Sequence, residues 1–164
     1  AAVCTLVALG QLRCIFTGGE LPVWLKKLKF MATSCLLLTF MTVVLVLAPM
    51  VGEGGLYLLL WTSSTRYHHL LNPLAALFSY LLLEREPHLP RSDVRWALLP
   101  TLAYAAVILP LNILRVIVGP YPFFEVYHQP VYVSVLWAVG LLGVNYLYAW
   151  LLWRLGGGRP RSAR

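Results

Sequence analysis

The side chains best suited to chemistry in this sequence sit inside two apolar stretches. In Tyr67-His68-His69-Leu70-Leu71-Asn72-Pro73, a histidine pair precedes an asparagine and a proline. His69, Asn72, Ala76 and Ser79 follow i, i+3, i+7 and i+10, a spacing that puts them on one helical face. An imidazole titrating near neutrality suits general-base or proton-carrier work, so His69 is the candidate base, with His68 as its alternative. The competing assignment is a histidine pair resting among lipid headgroups. Pro73 removes a backbone donor and frees the His69 carbonyl, which predicts a bend and a local polar pocket. In the second stretch Thr101, Tyr104, Ile108, Asn112 and Arg115 recur at helical spacing. The loop after it, GPYPFFEVYHQP, carries Glu125 and His128 but no lysine or arginine. Glu125 is therefore a carboxylate partner for Arg115, unless Arg115 snorkels to lipid phosphates instead. Asn72, Asn112, Arg115 and Glu125 make up the candidate binding set.

Other polar residues read more simply. Cys35, Thr39 and Thr42 follow i, i+4, i+7, and threonine hydroxyls in such helices bond their own backbone. Gly140 and Gly143 mark a face for close helix contact, and Asn145 an interhelical hydrogen bond. Tyr121, Phe123, Phe124, Tyr127 and Tyr132 are expected as an interfacial aromatic belt. Glu84, Glu86 and Asp93 are assigned to a solvated loop with arginines and prolines. Cys4, Cys14 and Cys35 show no CxxC or Cys/His spacing, so no metal site, disulfide framework or cofactor is expected. No nucleotide loop, HExxH or GxSxG occurs.

The elements that must position these groups follow from hydropathy. The chain has 164 residues, 60% of them hydrophobic and 12% charged, with a mean hydropathy of +0.75. A soluble domain would carry roughly twice that charged fraction. About 20 apolar residues at ~1.5 Å rise cover a ~30 Å hydrocarbon core. On that scale the chain reads as an all-α polytopic transmembrane bundle, with spans near 1–16, 31–51, 67–84, 96–118 and 131–153. These form a single domain over 1–153, followed by a basic tail, 154–164. Leu21–Lys29 is expected as a short amphipathic interfacial segment and Gly55–Trp61 as an interfacial or re-entrant piece.

Of the 13 lysines and arginines, all but Arg66 and Arg115 fall on one side of this alternation. The positive-inside rule makes that side, and the C-terminus, cytoplasmic. His69, Asn72, Asn112 and Arg115 then lie toward the outer half of the bilayer. The odd span count puts residue 1 outside, so a sixth helix is expected upstream of Ala1. The net charge of +7 gathers at span ends rather than along one face with interleaved aromatics, which argues against nucleic-acid binding.

Two stretches carry a resemblance. Lys29–Pro49, KFMATSCLLLTFMTVVLVLAP, and His69–Glu84, HLLNPLAALFSYLLLE, resemble a group of bacterial multispan membrane proteins without an assigned activity. That group shows a K-[YF]-x-A-T-x-x-x-x-[TL]-T-F helix and then an H-L-x-x-P-x-x-x-x-[SD] helix, and the likeness extends to YPFFEV in the last outer loop. More distantly the chain is similar to the androgen-induced-gene superfamily of six-helix membrane proteins. Some eukaryotic members hydrolyse fatty-acid esters of hydroxy fatty acids with an intramembrane threonine and histidine. The resemblance implies that His69, or His68 if the spacing shifts, is the catalytic histidine. It places the nucleophilic threonine at the start of the first helix, where this chain reads Ala1; Thr5 and Thr33 are the other candidates.

These readings lead to a bacterial cytoplasmic-membrane protein with membrane lipids as its partners. The leading expectation is a lipid or acyl-ester site in which His69 activates a threonine hydroxyl. The alternatives are a non-catalytic scaffold or assembly protein, a homo-oligomer through Gly140 and Gly143, or a small transporter. Whether the chain is an enzyme is left open by its residues.

Overall fold

The computed structural model describes residues 2–83, 89–118 and 121–156, and within them the chain is helical, with no strand. Glu84, Arg85 and Glu86 of the predicted loop, and the tail residues Arg159, Arg161 and Arg164, lie outside the described residues. Six helices follow in order. The first, α1 (Ala2–Thr17), turns at Gly18, whose φ of +66° suits glycine. It then packs on the start of α2, where a Cβ at Gly10 would collide with Leu25.

A single 29-residue helix, α2 (Val23–Val51), follows. Leu21–Lys29 is thus not a separate interfacial segment, because no glycine or proline breaks the chain between Val23 and Ala48. Its lysines enter the bundle with it. Helix α3 (Gly55–Trp61) folds back on the end of α2 through Gly52 and Gly54, at φ +87° and +80°. Gly55 then sits against the Ala48 carbonyl, where a side chain would not fit.

Prolines account for most of the irregular turns. Pro49 follows a π-type turn at Val43–Leu47, and Pro73 follows another at Tyr67–Leu71. A proline lacks the N–H that would close the preceding turn, so the chain widens there. Helix α4 (67–83) begins with that turn, continues as Asn72–Phe78 and ends in a second π-type turn, Ser79–Leu83. Helix α5 (Asp93–Ile113) loosens at Ala97 and Leu98, just before Pro100. Helix α6 (Val131–Leu155) is uninterrupted.

Three helices, α2, α5 and α6, are long and apolar enough to cross a membrane. Only 11–17% of the most apolar window of each is buried, so their apolar side chains, such as Leu136 and Val139, point outward. The packed core gathers at one end, around Phe30, Tyr80, Val94, Ala97, Ala149, Leu152 and Trp153. Trp153 Nε1 donates to the Leu89 carbonyl at 2.8 Å and ties α6 to the segment before α5.

Asp93 departs from expectation. Rather than lying in a solvated loop, it opens α5 inside this core, 2% exposed, and accepts a hydrogen bond from Lys27 Nζ at 3.0 Å. Burying that carboxylate is tolerable because a cation comes with it.

Candidate functional site

The His69 region is built by the widened turn before Pro73. His68 is exposed and His69 half-buried. Nδ1 of His69 is buried and has no hydrogen-bond partner. The face expected to run through His69, Asn72, Ala76 and Ser79 does not form as one surface. Asn72 is exposed while Pro73 and Tyr80 are buried, because a π-type turn holds extra residue per turn and breaks the i, i+3 register. Ser79 lies at the opposite end, where its Oγ accepts from Lys29 Nζ at 2.9 Å.

Thr33 is buried on α2, one turn beyond Lys29, and His69 lies ten residues from Ser79 along α4. Thr5 lies on α1, and α1 packs on α2.

Three of the four candidate binding residues do converge. Asn112, Arg115 and Glu125 line one cavity of about 440 Å³, together with Tyr127, His128 and Val116–Val118. Asn72 is not among them. Asn112 is 5% exposed and shapes the site. Its Nδ2 donates to the Ile117 carbonyl at 3.2 Å, and its Oδ1 accepts from the Val126 N–H at 3.2 Å. It thereby staples the loop after α5 to the end of that helix. Arg115 follows at φ +58°, a left-handed conformation that costs a non-glycine residue about 1 kcal/mol. This turn is closed by hydrogen bonds from Arg115 N to Asn112 O and from Val116 N to Leu111 O, each 2.9 Å.

The charges pair differently from the expected arrangement. Glu125 Oε2 meets His128 Nδ1 at 2.7 Å, while the Arg115 guanidinium stacks 4.5 Å over the Tyr127 ring. The Tyr127 hydroxyl donates to the Ile113 carbonyl. Arg115 itself is exposed at the cavity edge, so its positive charge is presented to whatever enters.

Tyr127 also borders an apolar cleft of about 510 Å³ between α5 and α6, lined by Ala105, Leu109, Trp137, Ala138 and Leu142 among others. A second cleft, about 320 Å³, opens between α2 and α5 at Cys35, Thr39, Thr42 and Tyr104. Phe123 and Phe124 roof both clefts. They belong to a short turn, Pro122–Phe124, in which Tyr121 stacks on Phe123 at 5.1 Å and Phe123 meets Trp137 at 5.5 Å. Of the five aromatics expected in a belt, Phe123 is thus packed inward, while Tyr127 and Tyr132 are exposed.

Below the clefts a polar clamp joins the three long helices. Ser34 Oγ donates to Asn145 Oδ1 at 2.8 Å, and Asn145 Nδ2 donates to Thr101 Oγ1 at 2.8 Å. Cys35 Sγ lies 3.6 Å from the same Thr101 oxygen. Asn145 is fully buried and makes the interhelical bonds that its position predicts. Thr39 donates to its own backbone, at Cys35 O, as expected. Gly140 and Gly143 face open space, with nothing within 4 Å of a Cβ placed on either. Among the described residues no three His, Cys, Asp or Glu side chains gather to hold a metal ion.

What the fold defines is an all-helical bundle with three helices of membrane-crossing length and a polar cavity beside apolar clefts at its less packed end. No protein family, curated protein or solved structure matches the chain.

Proposed function

We propose that this chain is a multispan protein of the bacterial cytoplasmic membrane, crossing it five times through α1, α2, α4, α5 and α6, and that it holds an acyl lipid or acyl ester at its outer end. The observation that carries this reading is the junction at Tyr127. There a polar cavity with an exposed arginine adjoins an apolar cleft between two helices. An amphipathic molecule has that same division: an acidic or ester headgroup beside Arg115, and a chain along Leu109 and Leu142. The basic residues at the Lys27 end support a cytoplasmic location for that end and for the C-terminus. Native mass spectrometry of the full chain, released gently from membranes, tests the assignment. Retained acyl lipid in the wild type, depleted several-fold in Arg115→Gln, is the expected result. Equal retention by both overturns it.

Hydrolysis of such an ester is the second reading, favoured by the buried, unpartnered Nδ1 of His69. It requires a hydroxyl nucleophile, for which Thr5 and Thr33 are the candidates. A lipid-tailed fluorophosphonate that labels the wild type but not His69→Ala would establish an activated hydroxyl. No labelling of either leaves a non-catalytic lipid-binding or scaffold role. A second copy of the chain is proposed at Gly140 and Gly143, supported by the open space over both.

A further inference from the structure

The packed end of the bundle carries a site of its own. Lys27 Nζ donates to Asp93 Oδ1 at 3.0 Å, and the Asp93 side chain is 3% exposed. Its other oxygen, Oδ2, is buried and accepts no hydrogen bond. A carboxylate oxygen cut off from both water and a donor is costly, so this position is complete only with a donor from outside the described chain. Next to it lies a cavity of about 290 Å³ lined by Lys27, Phe30, Met31, Asp93 and Trp96. The Lys27 side chain is 38% exposed, and an ammonium has two N–H groups beyond the one given to Asp93.

Asp93 and Lys27 thus bring an unpartnered acceptor and a cation to the wall of one cavity. Their complement is a donor cation carried close to an anion. Met31 and the exposed Trp96 add apolar surface at the rim, a combination that suits a chain-bearing molecule at headgroup depth. We propose that this cavity binds the headgroup of a phospholipid bearing a primary amine, of the phosphatidylethanolamine type. The lipid ammonium donates to Asp93 Oδ2, and the phosphate accepts from Lys27 Nζ. A quaternary choline headgroup has the same charge but no N–H, so it leaves Oδ2 without a donor. The assignment rests on the membrane reading above and is independent of the outer cavity.

The test uses the full chain in detergent, with thermal unfolding followed as defined lipids are added. Phosphatidylethanolamine, its N-methyl and N,N-dimethyl forms and phosphatidylcholine make a series in which only the last lacks an N–H. The expected result is an affinity drop of about tenfold at the quaternary step, the ratio one charge-assisted hydrogen bond supports. In Asp93→Asn that drop disappears. Equal affinity across the series, or a drop that persists in Asp93→Asn, overturns the proposal; equal affinity means that the Asp93 oxygen takes no donor from lipid. Should Asp93→Asn not fold, the methylation series in the wild type decides alone. Soluble phosphoethanolamine matching the lipid response overturns the assignment to a lipid. Failure here with lipid still retained through Arg115 leaves the outer site standing.

Discussion

The two ends of this bundle are built on different terms. Around Phe30 the helices pack closely: Phe30, Val94, Ala97 and Ala149 are each 0% exposed, with a cavity of about 290 Å³ at the edge beside Lys27 and Asp93. Charged groups there have polar partners, Lys27 with Asp93 and Lys29 with Ser79. Around Phe123 the same helices separate, leaving clefts of about 320 and 510 Å³ beneath an aromatic roof and a polar cavity of about 440 Å³ beside it. The Ser34–Asn145–Thr101 clamp lies between the two regimes. Below it α2, α5 and α6 are held together by packing. Above it, α5 and α6 are bridged by Phe123 and by the loop that Asn112 fastens. Most of the close packing thus lies toward one end of the bundle and the larger cavities toward the other.

That division gives predictions of decreasing size. Phe30→Ala empties a fully buried ring position and should cost about 3 kcal/mol or more in reversible unfolding in micelles. Leu109→Ala, which lines the open cleft, should cost far less while still loosening lipid retention. Comparable losses at the two sites would break the comparison. Asn145→Ala removes the clamp at the boundary, and a drop of about 0.6–1.7 kcal/mol is expected from interhelical hydrogen bonds of this kind. Double mutation with Ser34→Ala should then be less than additive, because the two side chains share one bond.

Arg115 separates charge from backbone conformation. Arg115→Gly should stabilise the turn after α5 by up to about 1 kcal/mol, since glycine adopts its left-handed φ without strain. Lipid retention should nevertheless fall as it does in Arg115→Gln. Retention that survives both substitutions would mean that the guanidinium takes no part in binding. The smallest effect is expected at the outward glycines. A Cβ placed at Gly143 meets no atom within 4 Å, so Gly143→Leu should not destabilise the chain and should gain only about 0.5 kcal/mol from removing a mid-helix glycine. Any dimer seen in detergent should be lost.

Much of this architecture was legible in sequence because a membrane-length helix is a strong, local signal. The uncharged runs in α2 and α6 located two long helices, and Pro73 located the widened turn in α4. Asn145 stood out as a polar group in an apolar run, which is why its clamp was foreseeable, although its partners Ser34 and Thr101 needed the fold. The polar face of α4 was misjudged for a specific reason: helical-wheel spacing assumes an unbroken 3.6-residue period, and the π-type turn at Tyr67–Leu71 displaces Asn72 from His69. Asp93 was hidden by its neighbours. Flanked by Arg91 and Arg95 in a proline-containing segment, it read as solvated. Only Val94 and Ala97, apolar and at helical spacing, hinted that this turn enters the core. The convergence of Asn112, Arg115 and Glu125 was partly visible from their shared end of the chain's topology. The pairing of Glu125 with His128 depended on the tight turn after Pro122.

The most direct test of a lipid site at the open end is photocrosslinking in native membranes. A phospholipid with a diazirine near the headgroup end of its acyl chain would be activated and its adducts mapped by peptide sequencing. Adducts concentrated on the cleft between α5 and α6, at Leu109, Trp137 and Leu142, and reduced in Arg115→Gln, are the expected result. Adducts spread evenly over the outward faces of α1, α2 and α6, and unchanged by that substitution, would contradict it.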